Sequence, residues 1–408
     1  MRHFIYFLML LVLSFSACKH DKNEKEEEKD KENNSTTNTD GPDGSGNEVI
    51  ESTTENNPYY KPALVVIKGH VKGGAGANVI LDELDIGKIN PLVSEIVDEN
   101  GDFQFNLFIN EPGIYQLRFP NAGMHLFLRG GDVQINTSIS DVGNYEVTGS
   151  PESYHLKEMY NILNKENHKT ITLQDRVKAY ETDKTKVKQL LALIDSLPIY
   201  YEAINKSKSA SLIKFIDKID TSMVSLLAAF YLDVDLNYDY IISVLKKFKT
   251  IAPHSKFYTQ LETKMSKIIP VGPGKMAPNT VVDDVNGKST ELAKYKGKPV
   301  LLYFWASYSE PSRKENMKVK AISDKYKSKG FVVFSISLDE EAAPWLDAIK
   351  EDKLDWVNTS NLLGWQDEIS SIYKVDNLPY LILIDKSGKI VARGFRAFEL
   401  EKKLIPLL

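Results

Sequence analysis

A short apolar run, Phe4–Phe15, opens the chain, and a strongly polar stretch follows it. The run is shorter than the roughly 20 apolar residues of a transmembrane helix, and Arg2 lies just before it. This arrangement is typical of a cleaved signal peptide, which we predict over residues 1–17. Residues 18–58 are rich in Lys, Glu, Asn, Ser and Thr and poor in apolar side chains, which predicts a disordered acidic tether.

Residues 59–150 carry short apolar segments with the two-residue alternation of β-strands. The segment Phe103–Leu107 alternates apolar and polar side chains, and Asn100-Gly101 just before it is a strong hairpin signal. Many short strands at close spacing are typical of a sandwich or a barrel. We therefore predict an N-terminal β-sandwich-like domain over residues 59–150.

From residue 151 the apolar residues recur at helical spacing. The spacing is clearest at Val187, Leu190, Leu191 and Ile194. Ser150 and Pro151 suit the N-cap and the first turn of a helix. We predict a helical section over residues 151–270, ended by a glycine- and proline-rich linker at 270–278.

Apolar strands and amphipathic helices alternate over residues 271–408. The segments Pro299–Trp305 and Phe331–Ile336 are continuous apolar runs of strand length, and Ser312–Tyr326 between them has a helical pattern. Alternation of this kind predicts an α/β domain with helices on both faces of a mixed sheet. The predicted fold class of the whole chain is α+β and multidomain.

Composition, net charge and cysteine count exclude several classes of function. The 408 residues carry 42% hydrophobic and 26% charged side chains, as in an ordinary globular protein of about two or three domains. Lys and Arg number 51 against 56 Asp and Glu, a net charge of −5, which disfavours nucleic acid as a partner. A count of 1 cysteine excludes an intramolecular disulfide, a cysteine-rich zinc site and a dithiol pair within the chain. We predict no metal and no cofactor.

That cysteine, Cys18, directly follows the apolar run. The stretch Phe15–Cys18 resembles a bacterial lipobox, with Phe15 where the motif prefers Leu. The resemblance implies cleavage before Cys18 and lipid on its sulfur and new amino group, so a membrane is the expected partner. Lys19 and the acidic run 20–32 resemble signals for the outer membrane and its outer surface. The periplasmic face and a soluble secreted protein stay open as alternatives.

Five motifs follow one another in the C-terminal third: Gly274–Pro278, Lys296–Val300, Phe304–Glu315, Tyr373–Pro379 and Ile384–Gly388. By these motifs residues 272–408 resemble the thioredoxin-fold domains of the TlpA/ResA type, which are related to the AhpC/TSA group. The resemblance implies a thioredoxin fold over residues 271–408. It also implies the thiol–disulfide chemistry of that family.

The central motif departs from the family pattern of Trp-Cys-x-x-Cys followed by Arg-Lys-Glu. Tyr308 stands at the Trp position, and Ser309 and Ser312 stand at the two Cys positions. The family chemistry needs a thiolate at a helix N-terminus and a second cysteine that resolves the mixed disulfide. A serine nucleophile would need a base, usually histidine, and His254 is the last of the 7 histidines. We therefore predict no catalytic residue, only degenerate motif positions.

The resemblance also implies a groove for an extended peptide or a partner protein. In thioredoxin folds the proline at the position of Pro379 has a cis peptide bond and lies beside the active-site helix. Tyr380 replaces the usual Thr and is expected to fill part of the groove. Maintenance of the fold explains the same proline equally well. The candidate binding residues are Trp305, Tyr308, Glu310, Pro311, Leu378 and Pro379.

Residues 61–160 resemble a domain of unknown function found before thioredoxin modules in envelope lipoproteins, through motifs such as Gly101–Phe105 and Gly131–Ile135. Two functions remain open. One is a lipid-anchored envelope protein whose redox-silent thioredoxin-like domain binds or scaffolds peptides, partner proteins or glycans. The other is an envelope thiol–disulfide oxidoreductase, as the fold alone suggests. The missing cysteines favour the first, and a non-enzymatic role.

Overall fold

The computed structural model describes residues 49–51, 60–85 and 88–408. The predicted signal peptide and Cys18 lie outside the described residues. The chain divides into two compact units, of which the first ends at Lys157 and the second is Glu158–Leu408. A β-rich N-terminal region, a helical middle and a C-terminal α/β domain follow one another, which confirms the predicted fold class.

The first unit is built from strands, listed here in chain order: β1 (Val49–Glu51), β2 (Ala63–Lys72), β3 (Asn78–Asp85), β4 (Lys88–Ile96), β5 (Asp102–Ile109), β6 (Gly113–Arg118), β7 (Gly123–Leu128), β8 (Gly131–Ser138) and β9 (Asp141–Thr148). They form a sheet of order β1-β5-β2-β8-β9 and a sheet of order β4-β3-β6-β7. Alternate apolar residues of both sheets, such as Ile67 of β2 and Leu117 of β6, meet in one buried core.

Strand β1 lies within the segment predicted as a disordered tether. Its backbone pairs in parallel with β5, with Val49 opposite Asn106 and Glu51 opposite Phe108. Without β1, strand β5 would expose the unpaired N–H and C=O groups of a sheet edge. The prediction of disorder over residues 18–58 therefore does not hold at residues 49–51, where a pair of β-branched residues suits a strand.

The helical section consists of α1 (Pro151–Thr182), α2 (Val187–Ile219), α3 (Val224–Phe230), α4 (Val234–Ile251) and α5 (Lys256–Ser266). Helix α1 begins where the sequence predicts, and the Ser150 hydroxyl accepts a hydrogen bond from the Ser153 backbone N–H at 3.1 Å. Helices α1 and α2 pack against each other through Leu173, Val177 and Leu193.

The C-terminal domain has the elements β10 (Val281–Asp283), β11 (Ser289–Glu291), β12 (Val300–Trp305), α6 (Glu310–Tyr326), β13 (Val332–Ser337), α7 (Ala342–Glu351), β14 (Val357–Thr359), α8 (Glu368–Ile372), β15 (Tyr380–Ile384), β16 (Ile390–Arg393) and α9 (Ala397–Leu404). The main sheet has the order β14-β13-β12-β15-β16. Central strand β12 pairs in parallel with β13 and antiparallel with β15. Every residue of β12 is buried, because both faces of the sheet are covered.

The two faces of this sheet form separate cores. Leu301, Tyr303 and Trp305 of β12 point to the face that packs on α6, α7 and α9. Phe304 points to the other face, where it packs with α8 and Tyr373. Because side chains alternate along β12, Trp305 points to the sheet face that packs on α6, the helix at whose start the serine pair lies.

A buried polar cluster joins the helical section to this sheet within the second unit. The Arg393 guanidinium donates to Asp235 Oδ1 of α4 at 2.6 Å and to the Tyr380 hydroxyl at 2.6 Å. The Tyr380 hydroxyl in turn donates to Asp235 Oδ2 at 2.5 Å. Gly394 has a φ of 64°, and a Cβ at this residue would lie 2.3 Å from Asp235 Oδ2. The domain boundary after residue 270 stays a prediction. The cluster joins residues on its two sides, Asp235 before it and Arg393 after it.

Candidate functional site

The serine pair lies at the start of α6. Ser309 is the N-cap, and its Oγ accepts a hydrogen bond from the Ser312 backbone N–H at 3.3 Å. This bond satisfies one of the N–H groups that the first helical turn leaves unpaired. Glu310 and Pro311 occupy the first two helical positions, which favour an acidic side chain and a proline. The helix therefore begins at Glu310, two residues before the predicted start.

Ser312 offers no hydroxyl to a substrate. Its side chain is fully buried, and its Oγ has no hydrogen-bond partner among the described residues. Ser309 is also buried, with 9% of its surface exposed. Burying an unsatisfied hydroxyl costs about 1–3 kcal/mol. The Ser312 hydroxyl therefore adds no stabilising hydrogen bond among the described residues.

Trp305, the last residue of β12, lies on the sheet face that packs on α6. It is fully buried, and its indole N–H has no hydrogen-bond partner among the described residues. A residue without exposed surface cannot contact a ligand directly. The structure therefore makes Trp305 a core residue in this conformation, whereas it was predicted to bind.

Asp339 fixes the loop between β12 and α6, although no sequence motif marks this residue. Its carboxylate accepts hydrogen bonds from the Ser307 backbone N–H at 3.0 Å and from the Ser307 hydroxyl at 2.5 Å. The Ser337 hydroxyl also donates to it. Because β12 and β13 are parallel, the residues that follow them meet at one edge of the sheet. Asp339 thereby holds the backbone immediately before Tyr308.

A half-buried ion pair between Arg313 and Asp352 holds the next turns of α6. Arg313 donates to both oxygens of Asp352, at 2.7 and 2.8 Å, and Asn316 donates to the same carboxylate at 2.8 Å. Burial acts to raise the pKa of Asp352, but the hydrogen bonds from Arg313 and Asn316 outweigh it and lower the pKa below the usual value. The Glu315 carboxylate accepts from the Ala397 backbone N–H of α9 at 2.6 Å. Helix α6 is thus anchored to the neighbouring elements along its buried side.

The Leu378–Pro379 peptide bond is cis, which confirms the geometry that the resemblance implies. Phe304 pairs with Tyr380 across β12 and β15, so Pro379 lies beside the end of β12, from which the serine loop leaves. The Pro379 carbonyl accepts a hydrogen bond from Arg396 at 3.4 Å. Leu378 is partly buried against the core. The fold therefore brings this dipeptide close to the serine segment.

Tyr380 does not fill the groove, and that expectation is wrong. Its side chain is buried on the sheet face that also holds Ile382 and Ile384, with its hydroxyl in the cluster of Asp235 and Arg393. Desolvation and the Asp235 carboxylate raise the pKa of the Tyr380 hydroxyl far above its usual value. The replacement of Thr by Tyr at this position serves a contact with the helical section.

Tyr308 and Glu310 are the exposed members of the predicted set. Tyr308 is 63% exposed, and its hydroxyl donates to the Leu338 carbonyl at 3.4 Å. Glu310 forms an ion pair with Lys314 at 2.9 Å. The structure gives these residues a place on the surface, and their role in binding stays a prediction.

No cluster of three or more His, Cys, Asp or Glu side chains suited to a metal ion occurs among the described residues. Of the helices that the structure describes, none is both long enough and apolar enough to cross a membrane.

Comparison with known proteins finds a family model for each of two segments of the chain. Residues 273–393 match the family model "AhpC/TSA family", and residues 65–156 match "Domain of unknown function (DUF4369)". Thiol-disulfide oxidoreductase ResA from a strain of Bacillus cereus is 36% identical over 120 residues, which are 29% of this chain and 68% of that protein. The chain belongs to the AhpC/TSA family.

A further relative and two solved structures are similar to about a third of this chain. ResA of Bacillus thuringiensis subsp. konkukian is 37% identical over 118 residues, and the match covers 66% of its length, just under two thirds. A solved thioredoxin domain of a thiol-disulfide oxidoreductase from Bacteroides vulgatus is 32% identical, with 33% of this chain and 95% of that chain covered and a TM-score of 0.31. A thiol-disulfide oxidoreductase from Bacteroides fragilis is 33% identical, with 33% and 100% covered and a TM-score of 0.32.

Proposed function

We propose that this AhpC/TSA family member is a lipid-anchored envelope protein whose thioredoxin-like domain binds an extended partner and exchanges no thiols. The observation that carries the proposal is the pair Ser309 and Ser312 at the start of α6 in a chain whose lone cysteine is Cys18. A hydroxyl is not ionised at neutral pH and forms no exchangeable bond to sulfur. Without a nucleophilic thiol the attack on a substrate disulfide cannot occur, and without a second thiol a mixed disulfide cannot be resolved.

The geometry around the serine pair supports a binding role. Asp339 holds the loop before Tyr308, and Arg313 and Asp352 hold the helix after it. The shape of the site is therefore maintained by half-buried hydrogen bonds although no reactive thiol is present. A rigid surface of this kind binds a ligand with little loss of conformational entropy.

The second candidate is an envelope thiol–disulfide oxidoreductase, the activity named for the ResA relatives. Reduction of insulin disulfides with dithiothreitol as electron donor separates the two. We expect the protein to give the rate of dithiothreitol alone, and the Cys18→Ser variant to give the same rate. A rate several-fold above dithiothreitol alone would overturn the redox-silent proposal.

Anchoring is proposed from the lipobox resemblance at Cys18 and from the acidic run after it. The proposed location is the outer membrane, with the protein facing the cell surface or the periplasm. We expect Cys18→Ser to release the protein from the membrane fraction and to stop processing before residue 18. A variant that stays in the membrane fraction and is processed as before would refute lipid attachment at this residue. Protease treatment of intact cells distinguishes the two faces.

A further inference from the structure

An exposed aromatic pair lies next to the serine positions. Tyr308 is 63% exposed and Trp365, from the segment between β14 and α8, is 47% exposed. The Tyr308 hydroxyl donates to the Leu338 carbonyl at 3.4 Å, and the Trp365 side chain lies near enough to this hydroxyl to act on its pKa. The Tyr308 hydroxyl is thus engaged within the protein. Both residues present aromatic surface to solvent, and Leu363, two positions before Trp365, is also exposed, at 51%.

The carboxylates of Asp339 and Glu340 are the charges that act on Tyr308. Burial raises the pKa of the Tyr308 hydroxyl, and the carboxylates of Asp339 and Glu340 raise it further. Asp339 is buried and bonded to Ser307, whereas Glu340 is exposed. The Glu340 carboxylate lies against Gly364, where a Cβ would be 2.5 Å from Oε1. An exposed carboxylate is therefore held beside the residue that precedes Trp365.

We propose that Tyr308, Trp365 and Glu340 bind an arginine or lysine side chain of an extended peptide. The face of an aromatic ring attracts a cation, and a neighbouring carboxylate adds a charge-assisted hydrogen bond. A neutral sugar would stack on the same rings but would gain nothing from Glu340, and an acidic peptide would be repelled. The site adjoins the serine segment and the end of β12, beside which Pro379 lies. This inference rests on the proposed binding function and names its ligand class.

Titration of the ¹⁵N-labelled full chain, followed through the backbone amides around Ser309, tests the site. The probes are a capped Gly-Arg-Ser-Arg-Ser-Gly peptide, the same peptide with citrulline or glutamate for arginine, and cellotetraose. We expect the arginine peptide to bind and the other three not to. Tyr308→Ala and Trp365→Ala should each weaken binding by about tenfold, and Glu340→Gln should weaken it by about threefold. Tyr200→Ala, at a tyrosine that is 43% exposed on α2, should leave affinity unchanged.

Several results would overturn the inference. They are equal binding of the citrulline peptide, binding of cellotetraose through the same residues, no binding of any probe, and arginine-peptide affinity that neither aromatic variant changes. Each leaves the redox-silent proposal standing, because that proposal fails only if the insulin assay shows turnover. The two proposals therefore fail on different measurements.

Discussion

The removal of Asp235 is expected to destabilise the second unit more than any change at a surface ion pair. Arg393 has 1% side-chain exposure, and its ion pair among the described residues is with Asp235. In Asp235→Ala the acceptors that the guanidinium keeps among the described residues are neutral, such as the Val271 carbonyl at 3.1 Å and the Tyr373 carbonyl at 3.1 Å. The charge is then buried without compensation.

The loss in free energy of unfolding can be estimated from the loss of this charge pair. Loss of one partner of a buried pair costs about 3–5 kcal/mol, and the 22% exposure of the Asp235 side chain favours the lower end of this range. A loss of about 3 kcal/mol shifts the unfolding equilibrium by about two orders of magnitude. Burial raises the pKa of Asp235 even beside Arg393, so ionised Asp235 is itself poorly solvated in the folded protein. Joint replacement by Asp235→Leu, Tyr380→Phe and Arg393→Met should therefore cost less than Asp235→Ala alone.

Urea unfolding measures this effect with two probes. All 4 tryptophans lie in residues 305–365, so their fluorescence reports on the α/β domain, while far-UV circular dichroism also reports on the helical section. Asp195→Ala is the matched control, because Asp195 forms an exposed pair with Lys314 of α6 and should cost about 0–1 kcal/mol. An Asp235→Ala variant no less stable than Asp195→Ala would refute the reasoning.

Two further predictions concern the serine helix. The Ser312 hydroxyl is buried and has no hydrogen-bond partner among the described residues, so Ser312→Ala should leave the free energy of unfolding unchanged or raise it by about 1 kcal/mol. Ser309→Ala should lower it by about 1 kcal/mol, because the N-cap is lost. Thermal unfolding checks both variants, and a loss at Ser312 equal to that at Ser309 would contradict the assignment. The pKa of Asp352 is lowered in the folded protein, so the stability that this carboxylate contributes is present above the pKa of the unfolded chain and is lost as pH falls through the folded pKa. The urea midpoint of the unmodified protein should therefore fall more steeply below about pH 4 than that of Asp352→Asn. Parallel midpoint curves for the two proteins would contradict the second prediction.

The sequence predicted the α/β domain well because its signals are local. The apolar run of β12, the helical pattern of α6 and the cis bond before Pro379 were all expected, and the structure contains each of them. The first two depend on residue types within a few positions of one another, and the cis bond was implied by the family resemblance.

Features that depend on distant contacts were missed. Tyr380 was assigned to the groove, although its two-residue register with Ile382 and Ile384 indicates the opposite face, because its partner Asp235 lies 145 positions earlier in the chain. Asp339 carries no motif, and only the parallel pairing of β12 with β13 brings it to Ser307. Strand β1 was missed because three residues in a polar stretch give no strand pattern until β5 supplies the edge.

The central claim is that the family backbone is intact around Ser309 and Ser312 and lacks only the two sulfur atoms. The most direct test is the Ser309→Cys, Ser312→Cys variant on a Cys18→Ser background, in which the two new thiols are the only ones in the chain. A disulfide closes only when the Cα atoms lie roughly 4.4–6.8 Å apart with suitable side-chain directions. After mild oxidation, thiol titration under denaturing conditions should find no free thiol in the monomer, and after reduction it should find both. Two free thiols in the oxidised monomer would mean that the loop has left the family geometry and would contradict the account.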